Sequence, residues 1–200
     1  MKKTMVLGAL VLAAATGFAQ ESRQDVSVSA TAPFIPQVNG NAVQLNDTHT
    51  VGALASYRYM LTPRSALEAN YGYSEYSSKF RTSFAPNARI NTFQQEITAA
   101  YVFSLNFRNF NPFAEGGGGT MIFMPLYDAG TNFKDAKTNT RLGGLFGVGL
   151  AYEISPSFDV RAEYRGFVTK VQDFSEPGKL FNTNRYTLFS SPAIGIAYHF

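Results

Sequence analysis

From residue 51 to residue 61 the odd positions read Val, Ala, Ala, Tyr, Tyr and Leu, while the even positions include Gly52, Ser56 and Arg58. The same period of two returns in 67–73, where Leu67, Ala69, Tyr71 and Tyr73 alternate with Glu68, Asn70 and Gly72. It returns again in 93–105, 142–154 and 158–168, each time with Phe, Tyr, Val, Ile or Leu on one face and Gln, Glu, Arg, Thr or Gly on the other. Alternation sustained over ten or more residues is the signature of a strand with one oily and one polar face. No heptad or helical stripe competes with it. Further strands at 26–34, 112–124 and 185–200 bring the expected number to eight. The strand at 112–124 leaves its facing open. If Glu115 points to the polar side, Phe113, Met121 and Phe123 join it and Gly116 and Gly118 lie opposite, whereas a bulge would reverse part of that order.

The start of the chain reads differently. Lys2 and Lys3 precede an apolar run from Met5 to Ala15, and Gly17-Phe18-Ala19 supplies small residues for cleavage. These are the parts of a secretory signal peptide, 1–19, with cleavage expected after Ala19 and 20–200 as a single domain. The run is too short for a spanning helix, which needs about 20 residues. The sequence holds no Cys, which excludes a lipid-anchored leader, disulfides and thiolate metal sites. Without Lys2 and Lys3 the 17 Lys and Arg fall to 15, against 14 Asp and Glu, so there is no basic surplus for nucleic acid. The chain carries 18 Phe and 11 Tyr, yet its mean hydropathy is −0.10, as alternating strands require.

The connections alternate in length. Those at 62–65, 106–111 and 155–157 are short turns, while 35–48, 74–90, 125–140 and 172–184 are long and polar. Antiparallel outer-membrane barrels show this asymmetry, with short turns in the periplasm and long loops outside. With this topology, with the phrase Tyr57-x-Tyr-x-Leu-x-Pro-x-x-x-Leu-x-Ala-x-Tyr71-Gly-Tyr and with the aromatic strand at 195–200, the chain resembles the small eight-stranded outer-membrane barrels, the family of the OmpA transmembrane domain and OmpX. The resemblance covers all of 20–200. It implies an all-β, eight-stranded antiparallel up-and-down transmembrane barrel in the bacterial outer membrane. It also implies that Gly195, Tyr198 and Phe200 form the strand pattern read by the barrel-assembly machinery, with Ala193 where that pattern usually has a polar residue. The expected partners are lipopolysaccharide, phospholipid and that machinery, together with an extracellular ligand at the long loops.

Inward charges form the main candidate site. Arg58 and Glu68 should face one another across the turn at 62–65, and Glu153 and Arg161 across 155–157. Glu96, Glu115, Glu163 and Arg165 complete the set. The interior of eight strands is just wide enough for side chains to fill it. Charges there must pair or hold water. The expectation is therefore an ion-paired plug, with a narrow ion pathway as the alternative.

Enzymatic readings have less to stand on. Gly116-Gly117-Gly118-Gly119 lacks the Lys-Ser/Thr and the strand-to-helix context of a phosphate loop. His49 and His199 are expected at opposite ends of the barrel, where they cannot share a metal. Neither lies in a phrase like that of barrels which cleave acyl chains from lipid A. No catalytic residue, cofactor or metal is expected, and a lipid-modifying enzyme stands as the remoter alternative. A secreted soluble barrel of lipocalin type, with its oily face inward, is a further one. The loop asymmetry and the aromatic last strand favour the membrane.

Overall fold

The computed structural model describes residues 23–41, 43–47, 50–81, 88–127, 131, 136–174 and 182–200. The expected leader with Ala19, and His49, lie outside them. Ten strands occur among the described residues: β1 (Gln24–Thr31), β2 (Val38–Gly40), β3 (Val43–Asp47), β4 (Gly52–Thr62), β5 (Ser65–Arg81), β6 (Ala88–Ser104), β7 (Phe110–Leu126), β8 (Asn139–Ser155), β9 (Phe158–Lys170) and β10 (Tyr186–His199). Eight of them, β1 and β4 to β10, pair antiparallel in a ring. Each meets its chain neighbour, and the ring closes where β1 pairs with β10. The small hairpin β2–β3 adds to the outer end of β5.

Closure is what the alternating pattern needs. Val28, Tyr57, Tyr71, Ile97, Val148, Tyr164 and Ile196 are exposed on the outside, while Ser27, Ser56, Asn70, Thr98 and Arg165 are buried inside. With polar residues enclosed and apolar residues outside, the molecule is an inverted globule. Only a surrounding apolar medium stabilises that arrangement, and in such a medium a sheet must leave no unpaired edge. Around the short-turn end the rings of Phe110 and Tyr152 lie 4.9 Å apart and those of Phe158 and Tyr198 5.1 Å apart. They form the aromatic belt expected at a lipid–water boundary.

Two sequence expectations are refined. The facing of β7 is settled, because Phe113, Glu115, Met121 and Phe123 all point inward and Gly116 is exposed. The segments at 74–90 and 125–140 are not loops throughout. β5 continues to Arg81 and β6 begins at Ala88, with paired residues from Glu75↔Phe93 to Phe80↔Ala88. β7 and β8 likewise run to Leu126 and from Asn139. In the outer parts of β5 and β6 the outward face becomes polar, with Glu75, Lys79 and Arg89 exposed, and the inward face apolar, with Tyr76, Phe80 and Ile90 buried. The oily-outside pattern therefore stops before the strand does.

Candidate functional site: the charged lumen

Each inward charge is placed by strand register. In β4 and β5 Arg58 stands opposite Glu68, as a hairpin of this length dictates. Its Nε donates to Glu68 Oε2 at 2.7 Å, and its guanidinium lies 4.8 Å from the centre of the Phe113 ring. Arg165, from β9, reaches across the lumen rather than along a hairpin. Its Nη2 donates to Glu96 Oε1 and its Nε to Glu115 Oε1, both at 3.1 Å. Room for the Glu115 carboxyl comes from Gly147 on β8, where any Cβ would run into it. Gly149 clears the same kind of space for the Phe113 ring.

The expected pairing of Glu153 with Arg161 gives way to another. By register Glu153 faces Asp159, and Ala151 faces Arg161. Arg161 instead donates through Nη1 and Nη2 to the two oxygens of Asp25 on β1, at 2.9 and 2.8 Å, a bidentate bond. This geometry is the strongest available to a guanidinium and a carboxylate. Glu153 and Glu163 both face the lumen but enter none of the ion pairs found among the described residues. His199 also belongs to the lumen. Its Nε2 lies 2.8 Å from Asp159 Oδ2, and its Nδ1 lies 4.0 Å from Asp25 Oδ2. The sequence places it at one end of the barrel without assigning it a partner, and Asp25 and Asp159 stand outside the expected network. Carrying the β1 alternation one step back from Ser27 would have found Asp25.

Below this network, toward the short turns, lies a polar vestibule of about 230 Å³ lined by Arg58, Arg108, Asn111, Glu153, Arg161 and His199. Above it the lumen narrows to a gap of about 20 Å³ between Gln94, Glu96, Arg165 and Ser191, room for about one water. Higher still, the interior turns apolar. Met121, Phe123, Leu145, Phe167 and Phe189 from the strands pack in one cluster with Val38, Val43 and Leu45 of the β2–β3 hairpin and with Ala136 and Phe174. Hairpin and loop residues thus pack against the strand residues at the long-loop end. Among the described residues no group of three or more His, Asp or Glu is arranged to hold a metal.

A closed antiparallel ring with an apolar exterior, an aromatic belt and an ion-paired interior defines a small transmembrane β-barrel. The chain belongs to the outer membrane protein beta-barrel domain family, whose profile matches residues 5–200, and its place is the bacterial outer membrane. No curated protein matches it by sequence. Solved structures resemble it in fold. OprG from Pseudomonas aeruginosa is 12% identical with a TM-score of 0.61, covering 91% of this chain and 98% of that one. Ail of Yersinia pestis, solved with the heparin analogue sucrose octasulfate, is 14% identical with a TM-score of 0.56, covering 90% and 100%. Neisserial surface protein A is 15% identical with a TM-score of 0.55, covering 90% and 98%. In such barrels the short turns face the periplasm and the long loops the exterior. The vestibule is then periplasmic and the apolar cap extracellular.

Proposed function

We propose that this barrel is a non-enzymatic envelope protein, closed to solutes, which contributes to outer-membrane integrity and presents a ligand-binding surface at its extracellular end. One observation carries this reading: two independent plugs fill a single lumen. The lower is ionic, with Arg58, Arg161 and Arg165 each bonded to carboxylates. The upper is apolar and includes residues from outside the barrel wall. A conducting pore needs a continuous wet path, and the apolar plug interrupts it. Lipopolysaccharide and phospholipid are the partners of the apolar wall, and Gly195, Tyr198 and Phe200 are the residues for the assembly machinery to read. At the outer end Lys79, Arg81 and Arg185 are exposed, which suits an anionic polysaccharide; Ail was solved with the heparin analogue sucrose octasulfate.

Single-channel recording of the purified barrel in a planar bilayer tests the closed lumen. No discrete conductance steps are expected, and regular steps in salt alone would replace this reading with the narrow pore. Binding to immobilised heparin that falls with rising salt is the expected surface result. No retention at low salt would remove the polysaccharide ligand.

A further inference from the structure

β1 and β10 come from opposite ends of the ring, and their pairing alone turns a sheet into a barrel. β1 is poorly equipped to choose its own register. It reads Val26-Ser27-Val28-Ser29, with valines outside and serines inside, against Tyr198, Ala197, Ile196 and Gly195 in turn. A slip of one residue would turn every side chain to the wrong face. A slip of two keeps serine inside and valine outside, so neither apolar burial nor the backbone ladder rejects it. Gly195, which stands against Ser29, would simply meet Thr31. Farther out Phe34 and Ser190 exchange two backbone bonds, a ladder contact with no side-chain preference for one register. The Ala32 N–H donates to Pro192 O, but Pro192 has no N–H to return the bond.

Asp25 breaks the degeneracy. It is fully buried, its two oxygens take the Arg161 guanidinium, and His199 stands opposite it in register. Arg161 and Asp159 on β9 and His199 on β10 already lie together once that hairpin has formed. Arg161 gains its bidentate carboxylate only when β1 docks in register. Arg58, opposite Asp25 on the β4 side, is engaged by Glu68 and does not substitute for it. We propose that Asp25, Arg161, Asp159 and His199 form a latch that selects the register in which the barrel closes. A slipped β1 moves Asp25 away from Arg161 and breaks the bidentate bond between two buried charges, which only the native register makes.

The absence of Cys makes the test direct. Ser27 and Ala197 are register partners, so Ser27→Cys with Ala197→Cys reports the native seam, and Ser29→Cys with Ala197→Cys reports a two-residue slip. Each pair is placed in the otherwise unchanged full chain and in the Asp25→Asn chain, refolded into lipid vesicles and oxidised. Crosslinks are read by gel mobility after unfolding. In the unchanged background the native pair should crosslink and the slipped pair hardly at all. With Asp25→Asn the slipped crosslink should rise at least tenfold relative to the native one. Should Asp25→Asn alone fail to fold, Asp25→Asn with Arg161→Met removes both charges and should fold with both registers populated. Native-only crosslinking in the single variant, or in the double variant if the single one does not fold, overturns the latch.

Discussion

The two halves of the lumen hold themselves together by opposite means. In the periplasmic half Arg58, Arg161 and Arg165 are fixed to carboxylates at hydrogen-bond distance, and the wall around them faces lipid. In the extracellular half Phe80, Ile90, Phe123, Phe167 and Phe174 pack against one another as in a soluble protein, and the outer parts of β5 and β6 beside them turn Glu75, Lys79 and Arg89 outward. The solvent outside decides which is used. Where lipid covers the wall, burying apolar surface inside brings no net gain, and directional pairs set the shape. Where water covers it, ordinary apolar burial works again. The lower half should therefore respond to the matching of partners, and the upper half to volume.

The largest effect should follow Arg165→Met, which strands Glu96 and Glu115 together. Breaking one buried pair costs about 3–5 kcal/mol, and here two carboxylates lose their partner. Denaturant unfolding in lipid vesicles should show a loss at or above that range, and adding Glu96→Gln with Glu115→Gln should recover most of it. Strict additivity among these substitutions would remove the ionic account of the lower half. Next comes Phe123→Ala in the cap, expected at about 3–5 kcal/mol from lost packing and the cavity left behind. Its effect should add to that of Arg165→Met within about 0.5 kcal/mol, as for sites that share no partner. Strong coupling between the two would show one plug rather than two.

A smaller effect sharpens the contrast within the ionic half. Gly147→Ala pushes a methyl group into the Glu115 carboxyl, and overpacking of this kind costs about 1–3 kcal/mol. Glu115→Asp, which shortens the side chain, should relieve part of that loss when combined with it. A fully additive double variant would show that Gly147 does not serve to seat Glu115. The smallest effect belongs to the outer wall. Tyr57→Phe removes the bond from Tyr57 Oη to Gln24 Oε1, and unfolding should shift by about 1 kcal/mol or less. A loss as large as that from Phe123→Ala would mean that the wall, not the lumen, carries the stability.

These halves differed just as much in how far the sequence revealed them. The membrane strands were legible because their apolar alternation reports the lipid directly, and Arg58 with Glu68 was legible because a short hairpin sets its own register. Arg161 with Asp25 was not, since those residues are 136 positions apart and meet only through ring closure. Arg165 with Glu96 and Glu115 spans the lumen between strands 69 and 50 positions apart, and pairing across a barrel leaves no local trace. The cap was hidden for another reason. Its apolar residues occupy the inward positions of the strands, and a search for oily exteriors passes over them.

The continuation of β5 past the membrane has a mechanical meaning. Spanning takes about 9–11 residues, and β5 has 17. The remainder, about 6–8 residues at roughly 3.3 Å each and tilted by about 40°, lifts its tip some 15–20 Å above the lipid. That tip is not a tether. It is a paired wall, filled from within by aromatic side chains, and it behaves as a stiff mast through the sugar layer of the cell surface. Whatever docks against this wall meets paired strands fixed beforehand, so little of the wall remains to be ordered on contact. Lengthening the summit loops would change what is grasped, whereas shortening the mast would sink the same grasp beneath the surrounding glycans.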